Sequence, residues 1–535
     1  MEKINIIRIK AMLTLFFILL LALTARAFYI QILSGHNLAD GADSQQLIEV
    51  QGLDTRGEIL DRNCKPLTGG VSQYYYFISK NQKNTDKLAK LTESIDARQI
   101  ASKSSEYYVY RTQSYNKEVN EELKERFNAY VFQSPARYAD EQIASHLIGY
   151  LNEDENKGVS GLELMYEDKL CSKNTSLMLR ADGAGRVLRG YSPVIINNTV
   201  RKSLNSRNLV TSIDRKLQYI AEKSLKSHTK KGACLVMNSQ TGEILAWASL
   251  PSFNPNNVED YLDSQDESLL NKVSQGTYAP GSVFKLVTAA AALEEGIDMD
   301  KTFLCEGEVT VEGVTLGCST APDGGHQEIN MEEAMAHSCN CYFAQLGAEL
   351  GYEKILNMAR RMGYGERVFG EFPQELTGTL PSGENLGPWS VSNISIGQGE
   401  ILATPLQVAM MTAIIANGGT KPEFTLELDA GAKGEQVRVI SEENALMLQQ
   451  MMGLVMKEGT GKRSWEVPVY GKTGTAETGK DEYRYNCWFS GYCIKNDNKY
   501  VITVLVEDGI SGSTAALPVF EEIVSFFTYS YCSDK

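Results

Sequence analysis

Ser282 and Lys285 stand three residues apart at the start of an apolar, alanine-rich segment that predicts a helix. Residues with this spacing share one face of a helix, so the lysine amine would lie near the serine hydroxyl. A serine hydroxyl is a weak nucleophile, and a neighbouring neutral amine could take its proton. Positive charge at a helix N-terminus would also stabilise a developing oxyanion. The pair therefore predicts nucleophilic catalysis, with a capping serine at a helix start as the plainer alternative.

Two further motifs follow along the chain. Ser338-Cys-Asn340 lies inside a segment that predicts a helix, and Lys472-Thr-Gly474 lies on a predicted strand. The S-x-x-K pattern recurs at two other places and S-x-N triplets are common, whereas K-[ST]-G occurs once. The specific signal is therefore the combination of the three motifs in this order within one C-terminal region.

The elements that must position these motifs alternate between strands and helices. The predicted elements are a strand at 209–214, a helix at 215–228, a hairpin at 232–251 with its turn at 239–242, helices at 280–296, 331–350, 404–419 and 515–528, and strands at 467–478, 486–495 and 499–508. Strands paired in hairpins and separated by helices favour an α+β fold, in which helices cover an antiparallel sheet.

The N-terminus carries an apolar run at residues 11–25, and three cationic residues precede it. Two interpretations compete. Ala25-Arg26-Ala27 resembles a signal-peptidase site, which would predict a cleaved signal peptide. The apolar pattern continues after Arg26, and an arginine can snorkel at a membrane boundary, which favours an uncleaved anchor. In either case the cationic flank stays inside and the remainder of the chain is exported.

The composition excludes several functions. The 535-residue chain has a net charge of −15, which argues against a nucleic-acid surface. Ten cysteines in an exported chain raise the question of disulfides, and Cys305 and Cys318 flank a predicted hairpin that a disulfide could close. We expect neither a metal site nor a cofactor, because the chain has no C-x-x-C pair and no metal-binding spacing among its five histidines.

Several longer stretches, together with the three motifs, resemble the class B penicillin-binding proteins, which are monofunctional peptidoglycan DD-transpeptidases. These stretches are RGEILDRN at 56–63, GVSGLE at 158–163, SIDRKLQ at 212–218 and IGQGEILATPLQ at 396–407. The resemblance covers nearly the whole chain. It implies a transmembrane anchor at 1–27, an irregular β-rich pedestal domain of the dimerisation type at 28–207 and a transpeptidase domain at 208–535.

Some residues of the pedestal need separate comment. Cys64 stands where the family usually has glycine, which puts one turn in doubt. For Arg56, Asp61 and Arg62 we expect ion pairs rather than a catalytic site.

The resemblance implies a role for each motif residue. Ser282 would be the acylated nucleophile, with Lys285 as its base. Ser338 would relay the proton to the leaving D-alanine, and Asn340 would hydrogen-bond an amide of the stem peptide.

The third motif would bind the substrate carboxylate. Lys472 would supply positive potential, and the hydroxyls of Thr473 and Thr475 would hydrogen-bond the carboxylate. Gly474 would keep the strand edge open to a peptide that adds as a further strand. The backbone N–H groups of Ser282 and Thr475 would form the oxyanion hole.

The implied activity is cross-linking of peptidoglycan stem peptides through an acyl-enzyme, and β-lactams would acylate the same serine. A β-lactamase or a DD-carboxypeptidase with the same serine is the alternative. A sensor is not expected, because only about ten residues precede the apolar segment. The implied location is the cell membrane, with a single span and an extracytoplasmic catalytic domain. The implied partner is a membrane glycosyltransferase of the division or elongation machinery, and the sequence does not choose between these roles.

Overall fold

The computed structural model describes most of the chain. The described residues are 2–33, 47–50, 56–70, 72–82, 84–100, 107–152, 157–171, 175–180, 194–197, 207–311, 313–381, 388–428, 437–478 and 484–529.

The helices fall in every part of the described chain. They are α1 Glu2–Phe28, α2 Thr85–Ser94, α3 Lys117–Arg126, α4 Ser145–Ile148, α5 Gly161–Met165, α6 Glu167–Leu170, α7 Arg215–His228, α8 Glu259–Leu262, α9 Lys285–Glu294, α10 Met331–Ala336, α11 Asn340–Leu350, α12 Tyr352–Arg361, α13 Pro388–Ser395, α14 Pro405–Ala416, α15 Glu442–Lys457 and α16 Leu517–Tyr529. Short 3-10 turns at Gly281–Phe284 and Ala321–Asp323 and π-helical turns at Tyr29–Leu33 and Gly512–Ala516 complete the helical elements.

The strands are short in the N-terminal half and long near the C-terminus. They are β1 Leu47–Val50, β2 Ile59–Leu60, β3 Ser72–Ser79, β4 Arg98–Ile100, β5 Tyr107–Thr112, β6 Tyr130–Pro135, β7 Leu151–Asn152, β8 Lys157–Gly158, β9 Thr175–Arg180, β10 Val194–Asn197, β11 Leu209–Val210, β12 Gly232–Asn238, β13 Ile244–Leu250, β14 Phe303–Cys305, β15 Glu308–Val311, β16 Val314–Gly317, β17 Gln327–Ile329, β18 Thr420–Lys421, β19 Val437–Arg438, β20 Val469–Glu477, β21 Tyr485–Lys495 and β22 Asn498–Gly509.

The chain divides into two compact units that are not contiguous in sequence. The smaller unit contains Met1–Thr55, Ser72–Ser134 and Ser172–Lys202. The larger unit contains Arg56–Val71, Pro135–Cys171 and Ser203–Lys535. Two segments of the predicted pedestal therefore belong to the larger unit, and the boundary at residue 207 stays a prediction.

The smaller unit contains the N-terminal helix and two sheets. The window Arg8–Gln31 has a mean hydropathy of 2.2 and is long and apolar enough to cross a membrane. One sheet has the order β4-β5-β3-β6 and the other has the order β1-β9-β10. Alternate residues of β3 enter two clusters, so that Tyr76 packs with Leu123 of α3 while Tyr75 packs with Val109 of β5. These sheets agree with the β-rich pedestal expected from the sequence.

The larger unit is built on a five-stranded antiparallel sheet of order β13-β12-β22-β21-β20. The neighbours Phe489 and Ser490 of β21 point to opposite faces because side chains alternate along a strand. Phe489 packs against Phe520 of α16 with ring centroids 4.4 Å apart, and Ser490 hydrogen-bonds Thr412 of α14 at 2.7 Å. Helices therefore cover both faces, which confirms the predicted α+β fold with an antiparallel sheet.

Local sequence signals account for several elements. Asp214 caps α7 by accepting the backbone N–H groups of Lys216 and Leu217, and α7 has the predicted bounds. The β12–β13 hairpin and the Asn496-Asp497 turn between β21 and β22 are also confirmed, the turn with a positive φ at both residues.

The helix predicted at residues 331–350 is broken, so that prediction was wrong. Helix α10 ends at Ala336 and α11 begins at Asn340. Ser338 has a φ of 56°, in the left-handed region that β-carbon sterics disfavour, and this turn stops the first helix. Cys339 then caps α11, and its sulfur accepts the N–H of Tyr342.

The expected ion pairs of the RGEILDRN stretch form within the larger unit. Arg56 Nε lies 2.9 Å from a carboxylate oxygen of Glu163, and both side chains are fully buried. Arg62 pairs with Glu243 at 3.2 Å in a half-exposed position. Asp61 accepts backbone N–H groups in the turn that contains Cys64, so its role is not an ion pair. Cys64 has a φ of 58° and keeps the turn despite its side chain.

Candidate active site

Ser282 lies in a short 3-10 turn, Gly281–Phe284, which leads directly into α9. The turn is positioned by the backbone: Gly281 N–H donates to the Gly397 carbonyl at 2.8 Å. Gly281 has a φ of 56°, and a β-carbon there would lie 3.0 Å from the Thr475 carbonyl oxygen. Glycine is therefore needed where the Ser282 turn approaches β20.

Lys285 occupies the first position of α9 and is completely buried. Its Nζ lies 2.7 Å from the Ser338 carbonyl oxygen, 2.8 Å from Asn340 Oδ1 and 3.3 Å from Ser338 Oγ. Burial lowers the pKa of Lys285 to about 8, although nearby negative charge on Cys339 would oppose this shift. A substantial fraction of this amine is therefore neutral near pH 8 and able to accept a proton.

Lys472 reaches the same serine from β20. Its Nζ lies 3.0 Å from Ser338 Oγ and 3.0 Å from the Thr473 carbonyl oxygen, and its side chain is also completely buried. Burial and the charge of Lys285 hold the pKa of Lys472 well below its usual value. The left-handed turn at Ser338 thus presents its hydroxyl to both amines.

The hydroxyl and amide groups of the motifs line one cleft of about 690 Å³. Its walls include Ser282, Ser338, Asn340, Thr473 and Thr475. The buried lysines stand behind this surface, at hydrogen-bond distance from the second motif. The structure therefore gathers the three motifs around one cleft, as their combination predicts.

Gly474 is explained by close packing. A β-carbon on Gly474 would lie 3.0 Å from the Pro280 carbonyl oxygen and 3.1 Å from a methyl group of Val283. Strand β20 is at the edge of the sheet, so the glycine lets the Ser282 turn lie against this strand. The sequence predicts access for substrate at this glycine, whereas the packing contact depends on the folded sheet.

Other residues of the cleft escaped the sequence analysis. Thr460 Oγ1 lies 2.6 Å from Thr473 Oγ1, and Thr475 Oγ1 accepts the N–H of Gly512 at 3.1 Å. Ser511 and Ser513 also line the cleft, with Glu477 at the end of β20. The segments that contain these residues carry no motif or spacing that predicts a site. The residues meet only in the folded structure.

A cluster of cysteines lies next to the second motif, and one expectation needs correction. Cys305 and Cys318 are free thiols rather than a disulfide. With His326 and Cys339 they form a group whose donor atoms all lie within 4.8 Å of one another. The expectation that no metal site exists rested on sequence spacing, whereas these donors are 13, 8 and 13 residues apart and meet only in the fold. Cys532 lies outside the described residues.

Family comparisons agree with the geometry of the cleft. Residues 232–525 match the penicillin binding protein transpeptidase domain, and residues 53–198 match the penicillin-binding protein dimerisation domain. The chain belongs to the penicillin-binding protein family. The pairing of these two domains, together with the class B structures that the fold resembles, confirms the class B resemblance.

Individual relatives match along most of the chain. Stage V sporulation protein D of Bacillus subtilis is 29% identical over 554 residues, which cover 95% of this chain and 83% of the relative. The peptidoglycan D,D-transpeptidase MrdA of Acinetobacter baumannii is 28% identical over 589 residues, which cover 94% and 85%.

Solved structures of related proteins have the same fold. The penicillin-binding protein PBP2 of Helicobacter pylori, in complex with MreC, superposes with a TM-score of 0.73 at 23% identity and covers 91% of this chain and 99% of that chain. A chain from a peptidoglycan synthase complex that couples polymerization and crosslinking gives a TM-score of 0.72 at 26% identity, with 99% of both chains covered.

Proposed function

We propose that this penicillin-binding protein is a serine-type peptidoglycan D,D-transpeptidase. The observation that carries the proposal is the buried Lys285 amine, held between the Ser338 and Asn340 side chains at the wall of a cleft that also contains Ser282. A buried amine of lowered pKa is the base that a serine nucleophile requires. The names of the relatives, which include peptidoglycan D,D-transpeptidases, support the same activity.

In the first half-reaction Ser282 Oγ attacks the carbonyl carbon of the D-Ala-D-Ala peptide bond, and its proton passes to the neutral Lys285 Nζ. The backbone N–H groups of Ser282 and Thr475 stabilise the oxyanion, with a contribution of about 3 kcal/mol for each donor. The proton then moves through Ser338 Oγ, which is 3.3 Å from Lys285 Nζ, to the departing nitrogen. The C–N bond breaks, D-alanine leaves and the ester on Ser282 remains.

In the second half-reaction the amine of another stem peptide attacks this ester. The same groups return a proton to Ser282 Oγ, so the enzyme is regenerated and an amide cross-link forms. β-Lactams follow the first half-reaction, and the opened ring stays attached to Ser282.

The third motif fits the carboxylate of the donor peptide. A bound carboxylate raises the pKa of Lys472 again, so the charged Lys472 supplies positive potential from behind the cleft while Thr473 and Thr475 present hydroxyls at its surface. Asn340 Oδ1 accepts from Lys285 and one Nδ2 hydrogen is donated to the Gly317 carbonyl, so its second Nδ2 hydrogen is available to the peptide.

The apolar helix at Arg8–Gln31 anchors the protein in the cell membrane, with the catalytic domain outside the cytoplasm. A membrane glycosyltransferase is the partner, and the anchor and pedestal form the contact surface. A similar chain in a peptidoglycan synthase complex that coordinates polymerization and crosslinking supports a polymerizing partner. Exchange of residues 1–33 for an unrelated anchor should impair growth in cells while β-lactam binding persists. Normal growth on this exchange would argue against the partner.

The test of the nucleophile uses the full-length protein in detergent and a fluorescent penicillin. A covalent adduct that survives denaturation should form in the wild type and disappear in Ser282→Ala. Ser227→Ala is the matched control, because Ser227 begins another S-x-x-K pattern on the exposed end of α7 and should label normally. Labelling of Ser282→Ala at the wild-type level would refute the assignment.

A second assay separates cross-linking from hydrolysis. The protein is incubated with stem pentapeptides that carry an acceptor amine, and dimeric product is quantified beside released D-alanine. Dimers support the transpeptidase. D-Alanine release without dimers would indicate a carboxypeptidase, and rapid turnover of penicillin would indicate a β-lactamase.

A further inference from the structure

Four soft donors converge beside the second motif, in a part of the larger unit that the proposed reaction does not use. They are Cys305 at the end of β14, Cys318 just after β16, His326 before β17 and Cys339 at the cap of α11. The three thiols are buried. A hairpin and a helix cap thus bring one donor set together.

Three of the six distances between these donors match the edges of a tetrahedron around one metal ion, and all six are within 4.8 Å. A zinc site with Zn–S near 2.3 Å and Zn–N near 2.05 Å has S···S edges of roughly 3.8 Å and S···N edges of roughly 3.6 Å. The Cys318 and Cys339 sulfurs are 3.9 Å apart. His326 Nδ1 lies 3.5 Å from the Cys305 sulfur and 3.6 Å from the Cys318 sulfur. The side chains therefore need little movement to enclose an ion.

We propose that Cys305, Cys318, His326 and Cys339 bind one Zn²⁺ ion as a closed structural site. Three cysteines and one histidine are a common tetrahedral donor set for structural zinc, and thiolates discriminate against magnesium and calcium. Binding replaces one proton on each thiol, and these three protons pass to solvent. His326 binds through Nδ1, so the Thr320 hydroxyl now 3.3 Å from that atom exchanges this contact for another.

The ion would position the second catalytic motif. Cys339 stands between Ser338 and Asn340, and Cys318 follows Gly317, whose carbonyl accepts from Asn340 Nδ2 at 3.0 Å. Ser338 holds a left-handed conformation that is unfavourable for a residue with a β-carbon and persists only if its surroundings fix it. A metal bond to the next residue supplies such a constraint. This positioning role rests on the proposed transpeptidase, whereas the metal site does not.

Metal content is the first test. Full-length protein is dialysed against metal-free buffer with a weak chelator, and zinc is measured by mass spectrometry. We expect about one zinc per chain in the wild type and less than a tenth of that in Cys318→Ala and Cys339→Ala. Cys234→Ala is the control, because its thiol is buried away from the donor set, and it should retain the metal. Cys341→Ala tests the neighbouring thiol, which contacts the donor thiols but lies outside the donor set, and it should also retain the metal. Loss of zinc in Cys341→Ala with retention in Cys339→Ala would overturn the donor set.

A second measurement does not depend on the folding of any variant. Wild-type protein is stripped with a strong chelator and reloaded with Co²⁺, which reports thiolate ligation by its intense visible and near-ultraviolet absorption. The expected spectrum is that of a tetrahedral thiolate site. A wild type without stoichiometric metal, or a spectrum of octahedral Co²⁺ with oxygen ligands, would overturn the site. An intact disulfide among the three cysteines, found by mass mapping, would also overturn it.

The positioning role has its own readout. Removal of the metal should slow acylation by fluorescent penicillin at least tenfold, and zinc should restore the rate. Metal content is measured on the same samples. If the protein binds zinc but is acylated equally fast with and without it, the positioning role alone is rejected. Failure of Ser282 to label in any state would instead reject the proposed function.

Discussion

Two groups of buried cations in the larger unit differ in how their charge is balanced. Arg56 contacts the carboxylate of Glu163 at 2.9 Å, and both side chains are excluded from water. Lys285 and Lys472 are equally buried, yet within the described residues neither forms an ion pair with a carboxylate. Their partners are carbonyl, hydroxyl and amide oxygens.

The difference separates residues that hold the fold from residues that do chemistry. A buried cation with a carboxylate partner stays charged, and loss of that partner is costly. A buried lysine without such a partner is driven toward the neutral amine, which can accept a proton. Lys272 follows the first pattern, since its Nζ lies 2.8 Å from Glu267 and 2.7 Å from Glu507. The environment of a buried lysine therefore predicts its use better than its burial does.

The largest expected effect is on Lys285. In Lys285→Ala the rate of acylation by fluorescent penicillin should fall roughly 10³-fold, because the general base is removed. The melting temperature should change little, because the desolvation cost of a buried amine without a carboxylate partner is removed together with its hydrogen bonds. Lys457→Ala, which removes an exposed lysine at the end of α15, is the control and should match wild type in both assays. A large drop in melting temperature for Lys285→Ala would erase the distinction between the two groups.

Substitution of Glu163 should reduce stability, whereas substitution of Lys285 should reduce the rate of acylation. Glu163→Gln leaves Arg56 and Arg137 without the charge that both contact, and should lower the free energy of unfolding by about 3 kcal/mol. Chemical denaturation of the full-length protein measures this change. The matched control is Glu243→Gln in the half-exposed pair with Arg62, where a loss of at most about 1 kcal/mol is expected. An equal decrease in the free energy of unfolding at the two sites would show that burial does not determine how much the ion pair stabilises the fold.

Substitution of Lys472 should change the rate of acylation more than the stability of the protein. Lys472→Met keeps the volume of the side chain and removes its positive potential, so acylation by penicillin should slow roughly 10²-fold. The decrease in acylation rate should be smaller for a penicillin whose carboxylate is esterified, because the ester has no negative charge for Lys472 to attract. Equal losses for the acid and the ester would place the role of Lys472 in proton transfer through Ser338 instead.

The smallest effect concerns Glu222, an acid that is only partly buried. Burial raises the pKa of Glu222 to about 7, while its carboxylate accepts from the Ala144 N–H and from Gln218. The unfolded chain ionises at lower pH, so stability falls as the pH rises from about 4.5 to about 7. Glu222→Gln should therefore be about 1 kcal/mol more stable than wild type at pH 8 and equal to it near pH 4.5. Thermal melts at the two pH values test this, and a difference that does not depend on pH would contradict the prediction.

Local signals in the sequence predicted the strands of the five-stranded sheet and the helices α7, α9, α14 and α16, but not α12, α13 or α15. Amphipathic spacing and a capping aspartate gave α7 its bounds, and alternating apolar residues identified β12 and β13. The break between α10 and α11 escaped because residues 331–350 carry a continuous helical pattern. The left-handed turn at Ser338 is favoured by tertiary contacts with two lysines from other elements, which no local pattern records.

The residues of the candidate site also fall into those that the sequence predicted and those that it did not. The three motifs were visible because each is a short pattern with a chemical meaning in sequence. The donors around His326 were missed because their spacings of 13, 8 and 13 residues match no compact metal-binding pattern. Only the pairing of β15 with β16 and of β14 with β17 brings them together. Thr460 was missed for the same reason, since its contact with Thr473 joins a helix end to the edge strand.

The turn that contains Cys64 presents a thiol that added reagents can label. Of the cysteines in the described ranges, Cys64 alone is exposed. A maleimide that cannot cross a membrane would reach this sulfur in intact cells only if the turn lies on the outer side. A dye placed there would leave the catalytic cleft untouched, because the cleft contains none of this turn. Cys64 thus provides a native attachment point for measuring topology and for following single molecules.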